Sequence, residues 1–104
     1  MANNKYTIKY TETFVNQFKH IMKYFTDKLQ NRIAAENFYK EVITEIEKRR
    51  ENPKSFEIYK STKQREKDYY RIYVKNYTIF YVVNDNIMEI RRILYSRRNF
   101  KNLL

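Results

Sequence analysis

Glycine and cysteine are absent from this chain of 104 residues, which has one proline and one histidine. Without glycine it lacks the glycine-rich loops that hold the phosphates of dinucleotides and nucleoside triphosphates, so nucleotide cofactors are not expected. Without cysteine there is no disulfide framework and no thiolate chemistry, and a single histidine does not build a zinc site. The composition therefore argues against a metal- or cofactor-dependent enzyme.

Long apolar runs are missing too. No stretch approaches the ~20 residues that a membrane-spanning helix needs. The opening residues, MANNKYTIKYTETF, lack the basic start and apolar stretch of a signal peptide. We therefore expect a cytoplasmic protein without a membrane partner.

Positive charge and aromatic rings are abundant instead. The chain has 22 Lys and Arg against 12 Asp and Glu, a formal net charge of +10, together with 11 Tyr and 7 Phe. A surface this basic attracts nucleic acid or an acidic protein segment. The length and the 42% apolar content predict one domain with one core over residues 1–104.

The spacing of apolar residues predicts an α+β fold. KYTIKY at residues 5–10 alternates like a strand, and stripes at three- and four-residue spacing predict helices from Glu12 to Lys28 and from Asn31 to Arg50. Because few residues separate them, the helices should form an antiparallel hairpin. The polar segment after Pro53 predicts a loop.

Residues 70–95, YRIYVKNYTIFYVVNDNIMEIRRILY, predict a three-stranded antiparallel meander with turns at Asn76 and at residues 84–86. Without glycine, turns that need positive φ should use Asn or Asp. In the last strand, simple alternation puts Met88, Ile90 and Leu94 on one face and Ile87, Ile93 and Tyr95 on the other. The helical hairpin can cover only one face of the sheet, so the other should be partly exposed and open to a partner.

Basic side chains mix with tyrosines in the segment that enters the first strand of the meander. Cations neutralise phosphates while aromatic faces stack on unpaired bases, so the mixture suits single-stranded RNA or distorted nucleic acid. The alternative is a solvated loop beside ordinary strand tyrosines. The candidates are Lys63, Arg65, Lys67, Arg71 and Tyr73.

A second basic stretch, RRILYSRRNF, covers residues 91–100. Adjacent strand residues point to opposite faces, so we expect Arg91 and Arg92 to diverge, with Arg92 toward the helices and paired with Glu45 or Glu47. Arg97 and Arg98 follow the strand, where a turn can aim both guanidinium groups at one anion, and Lys101 adds charge nearby.

No conventional catalytic group stands out. His20 lies opposite the apolar stripe of its helix, where an exposed residue without a catalytic role is expected. Any acid–base chemistry must therefore come from Tyr, Lys and Arg, which can stabilise a transferring phosphoryl group without metal. The corresponding reaction is attack of an RNA 2′-OH on the adjacent phosphate.

The C-terminal residues resemble the ParE/RelE superfamily of toxins from bacterial type II toxin–antitoxin modules. YTIFYVV followed by IRRILYSRRN is similar to the ParE-type pattern of an apolar strand ending in Phe-Tyr and then an Arg-Val-Leu-His-Gly-Arg-Arg-Asp-like ending. The order of strand, helical hairpin and antiparallel sheet agrees. The resemblance implies a growth-inhibiting toxin, of a kind associated with plasmid stabilization, which an antitoxin neutralises by wrapping it with an acidic segment.

The resemblance leaves two activities open. RelE-like members cleave mRNA on the ribosome with basic residues of the sheet, an arginine after the last strand and often a terminal tyrosine. Here Arg71 and Tyr73 stand near the two lysine positions, Thr78 replaces the sheet arginine, Arg98 matches the later arginine, and Leu104 occupies the tyrosine position.

ParE-like members instead poison DNA gyrase. Phe80-Tyr81 and the LYSRRN ending favour this branch, so gyrase is the first expected target. If the chain is a metal-independent endoribonuclease, the catalytic candidates are Arg71, Tyr95 and Arg98. A third alternative is a basic nucleic-acid-binding module without toxicity.

Overall fold

The computed structural model describes residues 5–59 and 67–97. The order of elements confirms the predicted α+β fold: one strand, two helices and three further strands. They are β1 (Thr7–Tyr10), α1 (Glu12–Lys23), a π-helical turn (Tyr24–Lys28), α2 (Arg32–Lys48), β2 (Tyr70–Val74), β3 (Tyr77–Asn84) and β4 (Ile87–Tyr95). Within these ranges no helix is long and apolar enough to cross a membrane.

The sheet has four strands in the order β1-β4-β3-β2. Strands β2, β3 and β4 form the predicted antiparallel meander, and β1 pairs in parallel with β4. The glycine-free hairpin turns place Asp85 at φ 51° and Lys75 at φ 53°. Asp85 agrees with the expected use of Asp or Asn, whereas Lys75 adopts a left-handed conformation that its residue type does not favour.

Side chains fix both helix starts. The Thr11 hydroxyl accepts the Phe14 amide (3.1 Å) ahead of α1, and Asn31 Oδ1 accepts the Ala34 amide (3.0 Å) ahead of α2. The predicted first helix stays α-helical only to Lys23, after which the chain widens into the π-helical turn. That turn brings the Phe25 ring to 5.2 Å from Phe38 of α2.

The helices form the predicted antiparallel pair. The end of α2 lies beside the start of β1, where the Tyr6 amide donates to the Arg50 carbonyl (3.2 Å) and Arg50 Nε donates to the Tyr6 carbonyl (2.7 Å). Both helices cover one face of the sheet, and Phe38 at the centre contacts the ring of Tyr77 at 5.3 Å. The core between helices and sheet includes Phe14, Val42, Ile46, Ile72, Ile79, Tyr81 and Ile90.

We call the sheet face away from the helices the open face. It carries a second, smaller cluster in which Tyr69, Phe80, Val82 and Leu94 are buried and Tyr59 packs against them. Tyr73 on the same face is 60% exposed. The described residues therefore cover this face only in part, as predicted.

A β-bulge changes the predicted alternation of β4. Phe80 pairs with Arg92 and Tyr81 pairs with Ile90, so Arg91 has no partner in β3. The β4 residues after this extra residue point to the opposite face from the one that simple alternation predicts. Ile93 belongs to the core beneath the helices, whereas Leu94 joins the open-face cluster. The predicted grouping of Leu94 with Met88 and Ile90 is therefore wrong.

The bulge also overturns the expected position of Arg92. It pairs across the strands with Phe80, which belongs to the open-face cluster, so Arg92 lies away from the helices. The predicted ion pair with Glu45 or Glu47 does not form. These two glutamates instead contact neighbouring cations along the chain, Lys48 (2.8 Å) and Arg50 (3.3 Å).

Tyr81 anchors the segment after α2 to the sheet. Its buried hydroxyl donates to the Pro53 carbonyl (2.7 Å) and accepts a hydrogen bond from Arg49 Nη1 (3.2 Å). Burial raises the pKa of Tyr81 and outweighs the opposing effect of Arg49. The phenol therefore stays neutral and keeps its donor at physiological pH.

Removing that hydroxyl should destabilise the protein. We expect Tyr81→Phe to lower the free energy of unfolding by about 1–3 kcal/mol, because the buried Pro53 carbonyl loses its donor. Urea unfolding followed by circular dichroism measures this change, and Tyr73→Phe on the exposed ring is the matched control. Equal unfolding midpoints for the two variants would contradict the anchoring role.

Candidate functional site

The open face carries a row of two arginines around one aromatic ring. Arg71 of β2 pairs with Phe80 of β3, which pairs in turn with Arg92 of β4. Adjacent strands lie roughly 4.8 Å apart, so about 10 Å separates the backbones of the two arginines. Two arginines on strands this far apart, on either side of a buried ring, can contact two anionic groups of one partner.

Arg71 is held by aromatic rings. Its guanidinium carbon lies 5.0 Å from the ring centre of Tyr59 and 5.6 Å from that of Tyr73. Stacked in this way, a guanidinium group keeps its planar N–H edge available to a carboxylate or phosphate. The sequence predicted Arg71 and Tyr73 as binding residues, and the structure brings them together.

The positive charge of Arg91 is paired with an acidic side chain of the same protein. Its Nε donates to Glu89 Oε1 (2.6 Å), and its Nη1 lies 3.4 Å from the Tyr69 hydroxyl. Burial lowers the pKa of Arg91, but the hydrogen bonds with Tyr69 and Glu89 outweigh it and raise the pKa overall. Glu89 is thereby paired with Arg91, and among the described residues it forms no ion pair with Arg92.

Arg92 is the functional candidate that the sequence analysis missed. Its Nε is buried without a hydrogen-bond partner, and within residues 5–59 and 67–97 no ion pair involves it. Burying a donor of a charged group without a hydrogen-bond partner costs free energy of folding, and a ligand that accepts this hydrogen bond would remove the cost. The only signal for Arg92 in the sequence was its position in the pair Arg91-Arg92. Simple alternation assigned Arg92 to the helix-covered face, which is wrong.

Thr78 is the residue that the sequence comparison predicts in place of an arginine of the RelE-like pattern. Its side chain is fully buried on the open face, and its hydroxyl lies 2.8 Å from that of Ser96. This pair links β3 to the residue after β4. The open face therefore carries a neutral hydroxyl pair at this point.

The structure separates Tyr95 from Arg71. The Tyr95 ring contacts Tyr77 at 5.8 Å on the helix-covered side, whereas Arg71 lies on the open face. Arg97 is exposed directly beyond β4, and Lys67 borders a shallow polar cleft beside Asp68. The remaining candidates lie outside the described residues: Lys63, Arg65, Arg98 and Lys101.

The sequence matches a family of known toxins over most of its length. The family model of the "ParE toxin of type II toxin-antitoxin system, parDE" covers residues 8–100. This chain belongs to the ParE toxin family. The predicted place in the ParE/RelE superfamily is thereby confirmed, as is the coarser prediction of a toxin from a type II toxin–antitoxin system.

Two of the solved structures that are similar to this ParE-family toxin contain RelE in complex with RelB. The RelB-RelE antitoxin-toxin complex from Methanococcus jannaschii matches at 25% identity and TM-score 0.45, over 86% of this chain and 91% of the other. The archaeal RelE-RelB complex from Pyrococcus horikoshii OT3 matches at 20% identity and TM-score 0.48, over 91% and 99%. No curated protein matches the sequence.

Proposed function

We propose that this ParE-family toxin inhibits bacterial growth by binding DNA gyrase, and that an antitoxin with an acidic segment silences it. The observation that carries the proposal is the ParE family match over residues 8–100. The net charge of +10 suits an acidic antitoxin segment, because opposite charge steers association and holds the complex.

The geometry favours binding over RNA cleavage. Attack by a 2′-OH needs a proton-transfer group within hydrogen-bond reach of the groups that hold the phosphate. Arg71 and Tyr95 lie on opposite sides of the sheet, and the neutral Thr78 stands where RelE-like members have an arginine. The described candidates therefore do not converge on one phosphate.

The open face is the surface that we assign to the target. Arg71 presents a ring-stacked guanidinium group and Arg92 has a buried donor without a partner, and Phe80 lies between them. Both cations can receive carboxylates or phosphates of a partner. Arg97 and Arg98 remain predicted contacts at the end of β4.

Assays with purified components test the target. We expect the toxin to inhibit supercoiling by gyrase and to accumulate double-strand breaks in plasmid DNA, while leaving mRNA on programmed ribosomes intact. Induction of the toxin alone in a bacterial host should then raise DNA damage signalling without transcript cleavage. Supercoiling gels and sequencing of RNA ends measure the two effects in parallel.

Two outcomes would overturn the proposal. Codon-positioned mRNA cuts without DNA breaks would assign the toxin to the RelE type of activity. Unimpaired growth with confirmed soluble expression would instead indicate a basic nucleic-acid-binding module without toxicity.

A further inference from the structure

A groove of about 400 Å³ lies between α1 and the end of β4, on the helix-covered side of the sheet. This volume falls within the range of ligand pockets. We call it the α1–β4 groove. The lining residues that matter below are Asn16, Gln17, Tyr24, Tyr77 and Tyr95, and His20 also lines the groove.

The backbone edge of β4 beside this groove is already capped by side chains. Strand β1 pairs with β4 only as far as Ile90. Beyond that point the Thr11 hydroxyl donates to the Arg91 carbonyl (3.0 Å), and the Ile93 amide donates to Gln17 Oε1 (2.9 Å). An added peptide strand would have to displace both contacts, so the groove is better suited to a ligand recognised by side chains.

Tyrosine rings form the walls of the groove. Tyr24 and Tyr95 are 49% and 40% exposed, and the Tyr77 ring meets Tyr95 edge-on at 70°. Burial raises the pKa of Tyr77, and the nearby Tyr24 and Tyr95 phenols raise it further. The Tyr77 phenol is therefore neutral, and the walls are aromatic surfaces with hydroxyls that can donate and accept.

Amide groups lie beside these rings. Asn16 is exposed and can both donate and accept. Because Gln17 Oε1 already accepts the Ile93 amide, the Gln17 side chain offers a ligand mainly its N–H donors. No Asp or Glu is among the described residues that line the groove, and Arg97 follows Tyr95 by two residues. The surroundings thus favour an anionic ligand with a planar ring.

We infer that the α1–β4 groove binds an unpaired nucleobase. The base stacks on the Tyr24 and Tyr95 rings, the amides of Asn16 and Gln17 meet its polar edge, and Arg97 contacts the neighbouring phosphate. Every base has a face that stacks on aromatic rings, and single-stranded nucleic acid combines such stacking with cationic contacts to its backbone. The inference is independent of gyrase as the target, since it concerns direct contact with nucleic acid.

Fluorescence anisotropy with labelled oligonucleotides of about 8 nucleotides tests the inference. The probes are a single strand, the same sequence as a duplex, and an abasic strand of equal length. We expect the intact single strand to bind most tightly. A matched single-stranded RNA distinguishes the source of the base, and the tighter of the DNA and RNA probes identifies the preferred sugar.

Variants of the tyrosines that line the α1–β4 groove test whether the oligonucleotide binds there. Loss of one stacking ring in Tyr24→Ala or Tyr95→Ala should weaken single-strand binding roughly 5- to 150-fold. Tyr24→Phe should keep most of the affinity because it keeps the ring. Tyr39→Ala is the matched control, since Tyr39 lies on α2 outside the groove and is 44% exposed. Circular dichroism verifies that each variant is folded.

Three outcomes would overturn the inference. An abasic strand that binds as tightly as the intact one would show that only charge is recognised. Unchanged affinity in the folded Tyr24→Ala and Tyr95→Ala variants would place the binding elsewhere. Finally, NMR shifts of groove residues caused by an acidic antitoxin peptide, but not by an oligonucleotide, would identify a peptide as the occupant.

Discussion

Replacing Arg71 and Arg92 together by alanine is expected to abolish growth inhibition while the protein stays folded. These two side chains flank Phe80 on the open face and supply the charged donors that we assign to the target. A hydrogen bond to a charged group is worth about 1.5–3 kcal/mol, so losing two should weaken target binding by more than about 100-fold. Colony counts after induction and gyrase inhibition in vitro measure the effect.

The matched control removes the same charge from another surface. Arg32→Ala with Lys40→Ala deletes two exposed cations of α2, far from the open face. That double variant should remain toxic, because net charge alone is not the determinant. Equal loss of toxicity in both double variants would mean that the toxin depends on its overall charge and not on the arginine row.

Much of the fold could be predicted because its signals are local. The apolar periodicities of α1 and α2 are strong, and the aromatic and β-branched runs of β2, β3 and β4 stand between recognisable turns. The limits of the helices were less predictable. The π-helical turn Tyr24–Lys28 follows α1 without a break in the apolar spacing, since Phe25 stays on the buried stripe.

The candidate site was predictable only in part, and one residue explains why. The bulge at Arg91 inserts an unpaired residue into β4, and every side chain after it changes face. Alternation alone therefore misplaced Arg92, Ile93 and Tyr95. Simple alternation puts Arg71 and Tyr73 on one face, and the structure agrees because β2 contains no such irregularity.

The bulge also changes which side chains share each surface. Glu89 and Arg91 pair with each other on the open face, which leaves Arg92 beside Phe80 without an acidic partner among the described residues. The same rearrangement turns Tyr95 toward α1, where its ring contributes to the α1–β4 groove. A single extra residue thus separates two surfaces, a cationic one on the open face and an aromatic one beneath α1.

Phe38→Ala should cause the largest loss of stability in the described part of the chain. The Phe38 ring is 1% exposed and lies 6.1 Å from Phe18, 5.2 Å from Phe25 and 5.3 Å from Tyr77. It therefore joins α1, the π-helical turn and the sheet. Replacing a buried Phe by Ala costs about 3–5 kcal/mol, which lowers the melting temperature by roughly 12–40 °C for a domain of this size.

Ile33→Ala on the same helix is the matched control, because Ile33 is 72% exposed and its truncation should change the unfolding free energy by less than about 0.5 kcal/mol. Differential scanning fluorimetry compares the two variants. Phe38→Ala should lose toxicity and show a lower melting temperature. Arg71→Ala with Arg92→Ala should lose toxicity without a change in melting temperature. A melting temperature for Phe38→Ala as high as that of Ile33→Ala would show that the helices and sheet do not depend on this contact.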